Sequence, residues 1–278
     1  MTPGATDQSG RRISLASGVM PGSPAEDMVA AAAYGGFDSV GLWVEPKNWS
    51  VQTTRSVRAR LNESGLSTLD VEVIRIQPGA ADPDHFRLID IGAEVGAENV
   101  LIVAFDPDYA RVADRFAALC RHAGERGMRA ALEFGYFTEV RTLGEAMGIL
   151  SQVDHPAKAL LVDTLHLSRS GGSPGDVARI PRGLLSYAQF CDAAGHGPDR
   201  NDRAAILREA VDGRLNLGEG QLPLADVLAA LPGGLPLSIE LRSAALREGF
   251  PDVKQRARSV AEATRRFLDR AMEKGNCR

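Results

Sequence analysis

The chain has 278 residues, 44 % of them hydrophobic and 24 % charged, with a formal net charge of −4. This is an ordinary globular mixture with material for an ample core. The mildly acidic balance, without a basic stripe, disfavours wholesale nucleic-acid binding, and no apolar run is long enough to span a membrane.

Three cysteines, Cys120, Cys191 and Cys277, are scattered and form no CxxC pair. Their odd number argues against a disulfide framework and suits a reducing cytoplasm. Cys120 and Cys191 read as buried small hydrophobes, and Cys277 as exposed in the tail. Residues 1–10 are small and polar and lack an apolar signal-like stretch, so they read as a flexible N-terminus. Residues 274–278 read as a tail.

Strand and helix patterns alternate from there on. Residues 13–20 read as the first strand, and 24–34 as a helix with Ser23 as N-cap and Pro24 at its first position. Residues 37–44 form the second strand and 51–64 its helix, closed by Gly65. The third strand spans 69–76 and its helix 83–95. The fourth strand, 100–105, is unbroken apolar sequence of the kind buried on both faces, and its helix spans 108–126. Residues 128–134 and 143–153 make the fifth unit; 159–167 and a short helix at 176–180 make the sixth. The seventh strand is 184–191, and a helix at 224–231 precedes the eighth strand at 235–241. A last amphipathic helix covers 251–272, with Val260, Ala263, Phe267 and Leu268 on one face. That face serves either to close the fold or to make a homodimer contact.

Eight β-then-α units imply parallel strands with right-handed crossovers. In this length they predict an α/β protein built as a single (β/α)8 TIM barrel over residues 11–273. An open doubly wound sheet would carry a Gly-rich phosphate loop after the first strand, and residues 18–23 are not one. The long stretch 193–220 reads as a loop or cap over the C-terminal mouth of the barrel, where such barrels keep their active sites.

Four strand ends carry a side chain able to hold a metal: Glu133, Asp163, Gln189 and Glu240. In a closed barrel the ends of strands five to eight are neighbours on one rim. Three carboxylates so close repel one another unless a cation neutralises them or a proton is shared. The all-oxygen set suits one divalent ion, Mn2+ first, with Mg2+, Co2+ or Zn2+ as alternatives. His166, three residues past Asp163, is positioned to hydrogen-bond a substrate oxygen. Arg214 is suited either to clamp a hydroxyl or carboxylate or to pair with a nearby acid, and Glu139 on the fifth loop is a candidate substrate contact.

The pieces Leu132-Glu133, Val162-Asp163-Thr164-Leu165-His166, Gln189-Phe190-Cys191-Asp192-Ala193, Gly218-Glu219-Gly220 and Leu237-Ser238-Ile239-Glu240 resemble the xylose isomerase-like TIM-barrel superfamily of sugar phosphate isomerases and epimerases. The resemblance implies that Glu133, Asp163, Gln189 and Glu240 bind one metal and that His166 and Arg214 touch substrate. Many epimerases of that superfamily have His where this chain has Gln189; Gln there resembles the 3-dehydroshikimate dehydratases instead. Many also have Glu where this chain has Gly41, so the pocket floored by Trp43, Trp49, Glu72 and Arg75 differs from a typical epimerase pocket.

The expected reaction is metal-assisted removal of a proton beside a carbonyl, with Glu133 and Glu240 as the catalytic acid–base pair. The leading expectation is an isomerase or epimerase of a small polyhydroxylated carbonyl substrate. A dehydratase of the 3-dehydroshikimate or inosose type is the alternative, and a non-catalytic carbohydrate- or metal-binding barrel is a second one.

Overall fold

The computed structural model describes residues 10–275. Cys277 and most of the two segments read as a flexible N-terminus and a tail lie outside the described residues. Eight parallel strands close on themselves in chain order: β1 (Ile13–Leu15), β2 (Ser39–Trp43), β3 (Ser67–Ile76), β4 (Ala97–Ala104), β5 (Arg129–Glu133), β6 (Lys158–Asp163), β7 (Leu185–Phe190) and β8 (Leu237–Ile239). The closing pair is β1–β8, with Ser14 opposite Ser238 and Leu15 opposite Ile239. The helices are α1 (Ala25–Gly35), α2 (Val51–Ser64), α3 (Asp84–Glu94), α4 (Tyr109–Gly124), α5 (Leu143–Ser151), α6 (Thr164–Arg169), α7 (Pro174–Ala178), α8 (Arg203–Asp212), α9 (Leu224–Ala230), α10 (Ala244–Gly249) and α11 (Val253–Gly275). The chain forms the (β/α)8 barrel expected from its eight-unit rhythm. Among the described residues no helix is long and apolar enough to cross a membrane.

Strand alternation divides the core in two. Outward side chains such as Leu15, Leu42, Ile102, Leu132 and Val162 pack with the helices in one large cluster. Inward ones, Leu69, Leu101, Val103, Ala131, Ala159, Leu161 and Tyr187, fill the barrel. This two-sided burial is why the strands read as continuous apolar runs rather than alternating ones. In α11, Ala257, Val260, Ala261 and Leu268 belong to the outer cluster, and α11 packs on α1, joining the end of the chain to its beginning.

Several boundaries differ from the sequence reading. The first strand stops at Leu15, and Ser17–Val19 turns as a 3-10 helix instead of continuing to residue 20. Ser23 does not cap α1; Pro24 occupies the N-cap position, without a side-chain cap bond. The sixth strand ends at Asp163 rather than at residue 167. Asp163 is the N-cap of α6, its side chain accepting from the His166 backbone N–H. A carboxylate that caps a helix satisfies a donor the helix leaves open, which ends the strand there. The 193–220 cap contains α8, and a further helix, α10, follows β8.

β3 carries two irregularities that shape the site. Val40 pairs with Thr68 but Gly41 with Asp70, leaving Leu69 as an extra residue. Val71 pairs with Val100 and Ile74 with Ile102, so two residues, Glu72 and Val73, stand against one on β4. Bulges of this kind re-aim side chains: both Glu72 and Val73 line the cavity at the barrel mouth.

Candidate functional site

A cavity of about 660 Å3 opens at the C-terminal mouth. Glu133, Gln189 and Glu240 line it from β5, β7 and the residue after β8, with His166 from α6 and Arg214 from the loop after α8. Trp43 and Glu72 line the opposite side. Asp163 lies behind this surface, fully buried, in register with Gln189 on the neighbouring strand. Ligand atoms of Glu133, Asp163 and His166 all lie within 4.8 Å of one another.

Two expected residues fall elsewhere. Glu139 is not part of the cavity wall; its carboxylate faces Arg141 at 3.7 Å, and its backbone carbonyl accepts from the Tyr109 hydroxyl. Trp49 is not on the floor. It packs in the outer core with its indole N–H donating to Thr54 Oγ1 at 2.9 Å.

Each remaining polar group has a definite electrostatic setting. Asp163 Oδ1 accepts from the His166 backbone N–H at 3.0 Å, and its Oδ2 accepts from Arg214 Nη1 at 2.5 Å. Burial pushes the Asp163 carboxyl up, but Arg214 and His166 outweigh it and hold it below its ordinary value. Glu133 has no such partner: burial first, then the Asp163 charge, raise it well above the usual carboxylate range. An apposed cation reverses that shift, because it favours the ionised form. Burial pushes the His166 imidazole down to about 4, so it is neutral at pH 7. Its Nδ1 has no partner, and Phe137 and Tyr136 flank the ring at 5.2 and 5.5 Å.

Glu240 Oε1 accepts from Arg242 Nε at 2.8 Å, while its buried Oε2 has no partner. This approach depends on Gly18, since a Cβ there would collide with Glu240 Oε1 and Arg242 Nε. The Gln189 Nε2 is likewise buried and unpartnered. Turning the amide over brings its oxygen to the same place. Glu133, Asp163 and the neutral His166 imidazole come together closely enough to hold a divalent cation, and Gln189 and Glu240 line the same cavity with unpartnered polar atoms.

Glu72 accepts from the Ser17 hydroxyl and stands 3.9 Å from Arg242. Burial and the Glu240 charge push it up to about 7, against the pull of Arg242. The Trp43 indole N–H donates to Glu45 at 2.7 Å, and the guanidinium groups of Arg75 and Arg242 lie 5.4 and 5.7 Å from its ring centre. Arg141, Arg200 and Arg203 also reach the cavity, so six arginines with Arg214 face three glutamates there. Arg242 escaped the sequence reading although strand alternation carries Glu240 to it in one step of two. Arg200 and Arg203 lie in the 193–220 stretch expected over the mouth, but only the folded path of the cap decides which of its charges enter the cavity.

Asp70 was also missed. It is fully buried inside the barrel, with neither carboxylate oxygen bonded, and it fits because Gly41 has no side chain: a Cβ there would lie 2.9 Å from Asp70 Oδ1. Burial, then the charges of Glu72 and Glu240, raise its carboxyl well above the ordinary value. The folded state therefore holds this proton more tightly than the unfolded chain, where an Asp titrates near about 3.9. The stability tied to this proton is complete below that pH and is lost as pH rises through the folded value. Asp70→Asn removes the dependence. Urea unfolding at pH 5 and pH 8 is expected to show the variant gaining on the parent more at pH 8; an equal difference at both would refute the assignment.

Comparison with known proteins adds three findings. A family model described as xylose isomerase-like TIM barrel matches residues 29–271. A 3-dehydroshikimate dehydratase of Pseudomonas putida is 28 % identical over 277 aligned residues, which take in 92 % of this chain and 42 % of that protein. The chain thus spans about two fifths of the length of this curated relative. Among solved structures, a xylose isomerase-like TIM barrel/4-hydroxyphenylpyruvate dioxygenase fusion protein superposes with a TM-score of 0.78 at 24 % identity, over 95 % of this chain and 44 % of that one. The IOLI protein, solved with a binding zinc atom, superposes with a TM-score of 0.79 at 14 % identity, over 94 % and 99 %. Both superpositions show the shared fold.

Proposed function

Because the chain belongs to the xylose isomerase-like TIM barrel family, we propose that it is a divalent-metal-dependent dehydratase acting on a small polyhydroxylated carbonyl compound that carries a carboxylate, of the 3-dehydroshikimate type. The observation that carries this reading is the cavity's excess of arginines over glutamates, with Arg75 and Arg242 set against Trp43. Guanidinium groups in a partly enclosed site favour an anion over a neutral sugar. The Pseudomonas putida relative, a 3-dehydroshikimate dehydratase, supports the same class, and so does Gln189 in place of the epimerases' His.

Glu133, Asp163, Gln189 and Glu240 would hold a divalent cation, which when bound would supply Lewis-acid polarisation of the substrate carbonyl. The protein's own groups do the rest. Arg242 holds Glu240 Oε1, which leaves Oε2 to take the proton from the α-carbon. Neutral His166 can donate through one ring nitrogen and accept through the other, so it orients the β-hydroxyl without adding charge. As the C–O bond breaks, Glu240 returns that proton to the departing hydroxyl, which leaves as one water, and Glu133 stays ionised throughout. Arg214 keeps Asp163 ionised behind the site. Phe137 and Tyr136, packed on His166, limit water access from that side.

The test is turnover of 3-dehydroshikimate by protein purified with Mn2+, followed as the absorbance of a conjugated product. Appearance of that absorbance, its loss on chelation and its return with metal are expected. Deuterium exchange at the α-carbon without absorbance favours the isomerase reading instead. Neither exchange nor absorbance, with no metal retained, leaves the non-catalytic barrel.

A further inference from the structure

The cap helix α8 is tied to the barrel by one charged knot. Arg169, the last residue of α6, donates to Glu209 on α8 through Nε at 2.9 Å and Nη2 at 2.6 Å. The Tyr136 hydroxyl lies 2.8 Å from the same carboxylate and 2.9 Å from the Ile206 carbonyl of α8. Arg169 Nη2 also donates to the Ala194 carbonyl at 2.7 Å, at the start of the cap segment. Both charged side chains are largely withdrawn from solvent, at 6 % and 14 % exposed.

A second tie runs alongside. Arg214 Nε donates to the Ala210 carbonyl, one residue past Glu209 on α8, at 3.0 Å, and Arg214 Nη1 reaches Asp163. Asp163 is itself the N-cap of α6, whose other end is Arg169. The contacts therefore close a ring: Asp163, α6, Arg169, Glu209, α8, Arg214, and back to Asp163. Shifting α8 moves the carbonyl that holds Arg214.

We propose that Glu209 is a positioning residue that locks α8 onto Arg169 and Tyr136 and thereby seats Arg214 on Asp163. A buried ion pair is commonly neutral in net stability against apolar replacements, because desolvation offsets the Coulomb gain. What this one supplies is geometry, since a planar bidentate fork admits one arrangement. The knot also forms the wall between two spaces. A side cavity of about 280 Å3, lined by Arg169, Ser168 and His196, shares Tyr136, Arg200 and Ile206 with the main cavity. Releasing Glu209 joins the two and loosens Arg214 together.

The inference is tested on the metal-free full chain by nitrogen-15 NMR of the arginine Nε–H groups. The Arg214 signal is assigned by its loss in Arg214→Lys. In the parent this proton is buried and bonded to Ala210, so it exchanges slowly with solvent. Glu209→Gln is expected to accelerate its exchange at least about tenfold, as local opening becomes easier. With an active substrate in hand, kcat is expected to fall about tenfold while KM stays within about twofold. Should Glu209→Gln fail to fold, the double variant Arg169→Gln/Glu209→Gln, which leaves no lone buried charge, is read in its place. Arg214 protection unchanged from the parent overturns the proposal, whatever the substrate proves to be.

Discussion

Glu240→Gln is expected to lower kcat on 3-dehydroshikimate by about 10²–10⁴-fold, the usual worth of a positioned acid–base group. The geometry makes the substitution specific. The amide oxygen still accepts from Arg242 Nε as Oε1 does now, so the side chain keeps its place in the gap left by Gly18. What is lost is the second oxygen, which is buried and has no partner among the described residues. An amide nitrogen there neither takes a proton nor donates a lone pair to a cation. Turnover, metal content and far-UV circular dichroism are measured together. Lost activity with an unchanged spectrum supports the base assignment; a fully active variant refutes it.

Asp192→Ala is expected to destabilise the fold by about 3 kcal/mol or more, because several hydrogen bonds to one buried charge are lost at once. Asp192 is 2 % exposed. Its Oδ1 accepts from the backbone N–H groups of Ala193 at 2.9 Å and Leu222 at 3.0 Å, and its Oδ2 from that of Gly218 at 3.0 Å. Its main chain pairs with Leu215 in both directions, at 2.9 and 2.8 Å. One carboxylate thus anchors the turn that follows Arg214, and Ala leaves three backbone donors without it. Denaturant unfolding of the metal-free protein reads the change directly. A difference within about 0.5 kcal/mol, the range of ordinary surface substitutions, contradicts this role.

The two residues show different degrees of legibility. Glu240 is visible in sequence because it ends an apolar run, where a buried carboxylate needs a partner. Asp192 lies three residues past Gln189, and nothing local marks it as the anchor of a turn more than twenty residues later. Arg242 was within reach of simple strand alternation beyond Glu240. Glu72 was read as part of the pocket floor, but Val73 beside it was not, since alternation sends adjacent residues to opposite faces and only the irregular register of β3 turns both into the cavity. His166 was placed near a strand end but sits on α6, because Asp163 caps that helix and stops the strand. Glu139 is close in sequence to Glu133, yet its carboxylate faces Arg141, a pairing that nothing local in the sequence reveals.

By itself, then, the sequence determined the barrel and the strand ends that meet at its mouth. Hydrophobic periodicity is local, eight repeats of it close in only one common way, and strand ends in a closed barrel are neighbours by topology. The tertiary structure alone decided the charge of the cavity, the neutral state of His166, the buried acid at Asp70 and the path of α8 across the mouth. Each of these depends on burial and on partners far apart in the chain: Arg214 against Asp163, Arg242 beside Trp43, Glu209 gripping Arg169. Desolvation and Coulomb terms are set by such distances, and local sequence carries no record of them.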